Sequence, residues 1–187
     1  KIVAMDMDGT VLDESQELSE RTIRALRAAM DKGVHVVFVS GRIYPAMLPY
    51  AKQVGLTAPL ICCQGAVIRA LPDGKLLEQT TISLDLAREV VQLAEENGVH
   101  VQYYTGDDYY FARADEESSY YARVARVQGK EVGDLLAYMK EPPIKMLLIA
   151  TPERAKEMEA LFQKRFGKKL AIAVSKPRYV EITDPGV

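Results

Sequence analysis

Long apolar runs, an excess of positive charge and separated cysteine pairs are all missing from this chain of 187 residues. Its apolar runs are strand-sized, so none is expected to span a bilayer. Lys and Arg number 24 against 26 Asp and Glu, a net charge of −2, which argues against nucleic acid or an anionic membrane surface as partner. No charged leader followed by an apolar segment is visible, so no export signal is expected. The chain starts at Lys1 without a methionine, consistent with a trimmed N-terminus. Its cysteines, Cys62 and Cys63, are adjacent. Neighbours on a strand face opposite ways, so no disulfide is expected between them, and reduced thiols fit a cytoplasmic location. His35 and His100 stand alone without metal-ligand spacing and read as strand-end residues. No repeat or low-complexity segment occurs. What is there is a soluble globular composition, 48% hydrophobic and 27% charged, long enough for one ordinary domain or two small ones.

The apolar pattern divides the chain. Ile2 to Met5 read as a short buried strand, followed by a helix with Leu18 before the cap Ser19, Ile23 placed for a hydrophobic staple, and Gly33 as its stop. VHVVFV reads as a second strand, Pro45 to Val54 as a second helix, and PLICC as a third strand ending at Gln64-Gly65. Strand, helix, strand, helix, strand with continuous apolar runs predicts a parallel sheet covered on both faces, part of a doubly wound, Rossmann-like α/β domain. VIRALPDGKLLEQ then reads as a hairpin turning at Pro72-Asp73-Gly74.

From Ser83 a second set begins. It comprises a helix to Asn97, strands VHVQYYT and YYFAR, a weaker helical stretch from Tyr121 to Val127, the strand IKMLLIA, a helix from Thr151-Pro152 to Phe166, and strands LAIAVS and YVEIT. Short paired strands with tight connections predict a mainly antiparallel sheet carrying helices on one face. The expected organisation is residues 1–82 as the N-terminal part of a core domain and 83–187 as a separate α/β module.

In an open parallel sheet, ligands bind outside the carboxyl ends of the strands. Three such ends carry informative residues: MDMDGT, VSGR and CCQGA. Alternation along a strand points Asp6 and Asp8 the same way. Two like charges side by side repel, so packing alone would not select them, whereas a cation or chemistry would. Asp6 and Asp8 offer hard oxygens suited to Mg2+. Ser40 offers a hydroxyl and Arg42 a fork that matches phosphate. Gly9, Gly41 and Gly65 let backbone approach a ligand closely. Carboxylates, a metal, hydrogen-bond donors and an arginine at one crevice suit phosphoryl transfer.

MDMDGTVLD resembles the first motif (DxDGT) of the haloacid dehalogenase-like phosphatases, and VFVSGR resembles their second motif in its SGR form. The element order resembles the Cof-type branch, in which an α/β cap domain is inserted after the second motif. The resemblance implies that Asp6 is the nucleophile that forms an aspartyl-phosphate, and that Asp8 is the acid and then the base. It implies Mg2+ held by the Asp6 side chain and the Asp8 backbone carbonyl, and Ser40 bonded to the phosphoryl group. It further implies substrate contacts from Gly9, Gly41, Arg42, Gln64 and Gly65, residues 83–187 as the cap, and a small phosphorylated metabolite such as a sugar phosphate as substrate. Where the family usually carries Asn-Gly-Ala, this chain has Gln64-Gly65-Ala66, a longer amide.

The family's third-motif lysine and acidic fourth motif find no match before Val187. Gly106-Asp107-Asp108 reads as a polar hairpin turn instead. The expectation is that the natural protein continues past Val187, and that this chain alone binds Mg2+ weakly and turns over little. The alternatives are a phosphotransferase or phosphomutase using the same nucleophile, and a catalytically silent phosphate-binding fragment.

Overall fold

The computed structural model describes residues 1–187, and the chain falls into two compact units, Lys1–Gln79 and Thr80–Val187. Both are mixed α/β, each built on its own sheet. No helix is long and apolar enough to cross a membrane.

The first unit runs β1 (Ile2–Asp6), α1 (Glu20–Asp31), β2 (His35–Val39), α2 (Tyr44–Val54), β3 (Leu60–Cys62), a single 3₁₀ turn (Cys63–Gly65), β4 (Val67–Arg69) and β5 (Leu76–Gln79). The five strands lie in chain order, with β1, β2 and β3 parallel and β3, β4 and β5 antiparallel. The register matters most for function. Asp6 pairs with Val39, and Val39 with Ile61, so the first three strands end along one edge of the sheet. Ser19 caps α1, its hydroxyl accepting the Thr22 N–H at 3.0 Å, and Ile23 and Leu26 bury the helix's apolar stripe. Pro45 sits in the first turn of α2, where its missing N–H costs nothing.

One expectation for this unit fails. The first strand is not buried: Ile2 is 71% and Val3 45% exposed. It is the outermost strand of the sheet in this chain. The two faces of the sheet are covered unevenly. The helices α1 and α2 touch each other, and successive right-handed crossovers that advance in one direction lay their helices on one face. Accordingly Val36 and Phe38 of β2 are buried, while Val37 and Val39 between them are only half-buried.

The second unit runs α3 (Leu84–Glu96), β6 (His100–Thr105), β7 (Asp108–Phe111), α4 (Glu116–Ala125), β8 (Lys130–Glu131), α5 (Leu135–Tyr138), β9 (Lys145–Ile149), α6 (Pro152–Phe166), β10 (Ala171–Lys176) and β11 (Tyr179–Thr183). Its six-stranded sheet has the order β10-β11-β9-β6-β7-β8 and is antiparallel except for β7 against β8. Every residue of β9 is buried. On one face Val101, Tyr103, Met146, Leu148, Val180 and Ile182 form a core with α3, α5 and α6. Gly106, at φ +59°, makes the turn between β6 and β7.

The other face is also covered, which corrects the expectation of helices on one side. Tyr121 of α4 packs on Tyr104, Tyr109 and Tyr179. The helix begins at Glu116, earlier than the predicted Tyr121. Its start is set by Asp115 and Ser118, which cap each other reciprocally, a capping box with Ser in the place of the commoner Glu or Gln. Beneath α4 lie polar groups carried by the strands. Lys145, only 1% exposed, donates to Glu181 at 3.0 Å and sits 4.7 Å from the centroid of the Tyr104 ring. The Tyr104 hydroxyl donates to Gln102 Oε1 at 2.6 Å, and burial raises that phenol well above its ordinary pKa. His100 is not an idle strand-end residue, since its Nδ1 meets Asp115 Oδ2 at 2.7 Å.

Candidate active site

The site belongs to the first unit, where three loops leave the aligned strand ends. The first loop turns on Met7. This fully buried residue offers its carbonyl to the N–H groups of Thr10, Val11 and Leu12 at 3.3, 3.2 and 2.9 Å. Gly9, at φ +74°, makes the bend. The strand itself ends at Asp6, so Asp8 lies beyond it, in an isolated bridge with Leu12. Strand alternation therefore does not govern where Asp8 points. Asp6 stands exposed, while Asp8 is half-buried.

The second loop places Ser40 and Arg42, both buried. The Ser40 N–H donates to the Ile61 carbonyl at 3.0 Å, and its Oγ accepts the Arg42 N–H at 3.3 Å. The Arg42 guanidinium reaches back to the first loop. Its Nη2 donates to Asp8 Oδ1 at 2.8 Å and its Nε to Asp8 Oδ2 at 3.4 Å, a two-point ion pair. At 7% exposed, Arg42 makes this contact in surroundings where charge pairing is screened far less than at a surface.

The third loop is the 3₁₀ turn, tied to the second by its backbone. The Cys63 N–H donates to the Arg42 carbonyl at 3.0 Å and the Gln64 N–H to the Ser40 carbonyl at 3.2 Å. Both cysteines are buried and neither forms a disulfide. Cys63 lies in this turn, not on a strand, with Sγ 3.8 Å from the Arg42 carbonyl oxygen. Gln64 lies directly over Gly41, where a Cβ would push its amide aside, so glycine leaves that amide its place. The Oε1 of Gln64 is buried with no hydrogen-bond partner from the chain.

Sequence reasoning missed two members of this cluster. Gln16 accepts from Arg42 Nη2 through its Oε1, and the Tyr50 hydroxyl donates to the Gln16 carbonyl at 3.0 Å. The Tyr50 ring also lies under the guanidinium, 5.8 Å from its carbon. No motif marks either residue. The helical spacing of Tyr44, Met47, Tyr50 and Val54 indicates only that Tyr50 faces inward.

No group of three or more His, Cys, Asp or Glu side chains converges to hold a metal. Mg2+ does not demand one, since it takes one or two carboxylates and keeps several waters or phosphate oxygens. An exposed Asp6 beside the turn at Met7 and Gly9 fits that donor set.

A family model described as haloacid dehalogenase-like hydrolase matches residues 3–187. The chain is 30% identical over 156 residues to the 5-amino-6-(5-phospho-D-ribitylamino)uracil phosphatase YitU of Bacillus subtilis, covering 81% of this chain and 57% of that protein. It is 28% identical over 107 residues to the pyridoxal phosphate phosphatase YbhA of Escherichia coli, covering 57% of this chain and 39% of that one. The chain thus spans well under two thirds of the length of these relatives. Among solved structures, the TM0651 protein of Thermotoga maritima superposes with a TM-score of 0.84 at 30% identity, over 98% of this chain and 68% of the other. A haloacid dehalogenase-like hydrolase from Bacteroides thetaiotaomicron superposes with a TM-score of 0.90 at 19% identity, over 100% of this chain and 72% of the other, a likeness of fold.

Proposed function

The chain belongs to the haloacid dehalogenase-like hydrolases, and from that we propose that it is a magnesium-dependent phosphatase of small phosphorylated metabolites such as sugar phosphates. The supporting observation is the lacing of three strand-end loops into one cluster, with Asp6 and Asp8, Ser40 and Arg42, and Gln64 at a single sheet edge. Relatives whose names carry a substrate act on small phosphorylated compounds, a ribitylamino-uracil phosphate and pyridoxal phosphate among them. In this reading residues 1–82 contribute to the catalytic core and 83–187 form the cap.

Asp6 supplies the nucleophile. Its carboxylate oxygen forms a bond to phosphorus as the ester P–O bond breaks, leaving an aspartyl-phosphate. Asp8, which must enter this step protonated and so with one oxygen released from Arg42, gives that proton to the departing alkoxide. It then takes one from the water that attacks the phosphorus of that intermediate, releasing phosphate and restoring Asp6. Arg42 fixes which way the Asp8 carboxylate faces. The hydroxyl of Ser40 accepts from the Arg42 N–H and so keeps its own O–H to donate to a phosphoryl oxygen. The backbone N–H groups around Gly9, Gly41 and Gly65 and the amide of Gln64 complete the substrate contacts. The Asp6 carboxylate and the Asp8 carbonyl would hold Mg2+, which when bound would supply positive charge against the meeting of two anions.

The test is turnover on a panel of phosphate esters by the natural protein that carries this chain. Activity should vanish in chelator and return with Mg2+. Asp6→Asn should lower kcat by at least about 10⁴-fold, since deleting the nucleophile of a covalent hydrolase costs on the order of 10⁶. Wild-type turnover in the Asp6→Asn protein, or full activity in chelator, would remove Asp6 or the metal from the mechanism.

A further inference from the structure

The loop between β1 and α1 is stapled to itself. Asp13 Oδ1 accepts the N–H groups of Ser15 and Glu17 at 2.9 and 3.0 Å and the Ser15 hydroxyl at 2.7 Å. The Asp13 N–H donates to the Glu17 carbonyl at 3.1 Å, and the Gln16 N–H to the Asp13 carbonyl at 2.9 Å. Inside this closed loop Gln16 takes the left-handed conformation, φ +63°, which costs a non-glycine residue and persists only where surroundings impose it. The Tyr50 hydroxyl supplies one such restraint, holding the Gln16 carbonyl from α2 at 3.0 Å. The result is a side-chain amide delivered to Arg42 from a fixed backbone.

We infer that Gln16 is a positioning residue, which locks the Arg42 guanidinium so that Arg42 in turn aims Asp8. A guanidinium carries five N–H donors in a rigid plane. Asp8 takes the Nε side and one hydrogen of Nη2, while Gln16 takes Nη2 from another direction. Turning the plane breaks both contacts together. The choice of a neutral acceptor matters as well. An amide orients the cation without cancelling its charge, so that charge still attracts an incoming phosphate, whereas a carboxylate at the same place would hold the guanidinium equally well but compete with that phosphate.

The inference rests on the phosphatase reading for its catalytic half only, and its test is built to separate the two. The removal variant is Gln16→Gly, because glycine suits a positive φ and keeps the carbonyl held by Tyr50. The retaining variant is Gln16→Glu, which preserves reach and acceptor. In nitrogen NMR of the arginine side chains, wild type should give separate Arg42 Nη signals from hindered rotation, Gln16→Gly should merge them, and Gln16→Glu should restore them. In kinetics, Gln16→Gly should lower kcat on alkyl phosphates by about tenfold, part of the ~10²–10⁴ that acid–base catalysis contributes, and on an aryl phosphate much less. Gln16→Glu should recover kcat but raise KM for the anionic substrate.

Merged signals, with no ester hydrolysed even by the natural protein that carries this chain, would uphold the lock and sink the phosphatase reading. Unchanged signals with unchanged kcat in Gln16→Gly would overturn the inference and leave that reading standing. Equal losses on alkyl and aryl esters would show that the lock does not reach Asp8.

Discussion

Two apolar strands of equal length, β1 (IVAMD) and β9 (KMLLI), end in opposite surroundings. The first lies at the margin of its sheet with Ile2 and Val3 open to solvent. The second lies between β11 and β6 with helices over both faces, so that even its lysine is enclosed. The purely apolar start of β1 is exposed, and the charged start of β9 is buried. Neighbours decide burial, and composition decides only what burial costs. The same contrast separates the two units. In the first, the candidate site gathers at the strand ends, where Asp6 is exposed while Ser40 and Arg42 are buried. In the second, polar groups are held under α4 and answered by one another.

That contrast can be broken most severely at Lys145. Glu181→Leu should destabilise by about 3–5 kcal/mol, since it leaves a buried ammonium without its partner. The double change Lys145→Met with Glu181→Leu should recover most of the loss, because apolar groups of similar size substitute well for a buried pair. Urea unfolding reads both; a single-variant loss below ~1 kcal/mol, the range of exposed pairs, would mean that water reaches the lysine.

The strands themselves give the next effect. Leu147→Ala in β9, whose side chain is fully buried, should cost about 2–5 kcal/mol through lost contacts and the cavity left behind. Ile2→Ala in β1 should stay within ~0.5 kcal/mol, as surface substitutions do. Equal losses in the same unfolding assay would show that β1 is covered in solution.

The smallest effect sharpens the contrast through pH. Burial alone would raise the Asp115 carboxyl, but the Ser118 N–H and the His100 ring outweigh it and hold it below the ordinary carboxylate value. A lowered folded-state pKa gives stability that is complete above the unfolded value of about 3.9 and fades as pH falls through the folded one. Asp115→Asn keeps a helix cap but cannot ionise. The stability gap between wild type and variant should therefore narrow below about pH 4, whereas parallel curves would show that Asp115 titrates as it does unfolded.

Much of this was legible in the residues because it is local. The caps Ser19, Ser83 and Thr151 each sit one residue before a helix, as their side chains require, and the turns at Asp73-Gly74 and Gly106 follow from their composition. The family resemblance of MDMDGT and VSGR was legible too, because each motif is a contiguous run of residues, although the pairing of Asp8 with Arg42 was not. What escaped was long-range. The start of α4 depends on a Ser in a position usually held by Glu, and the second covered face on where α4 packs. Gln16 escaped for the same reason, since Arg42 and Tyr50 are distant in sequence and meet it only through the fold.

The turn after β3 narrows what this site can become. Cys63, Gln64 and Gly65 follow one another at φ of +53°, +59° and +111°. Position 65 admits glycine alone without strain, and at 63 and 64 the left-handed conformation excludes β-branched side chains and favours Asn, Asp or Gly. Asn at 64 would suit the backbone better than Gln, yet its amide falls one methylene short of the place over Gly41. Glycine would relax the turn but remove the amide. The usable alphabet at this corner is thus set by torsion before chemistry is consulted, and a library meant to reshape substrate choice would lose most of its members here to backbone strain.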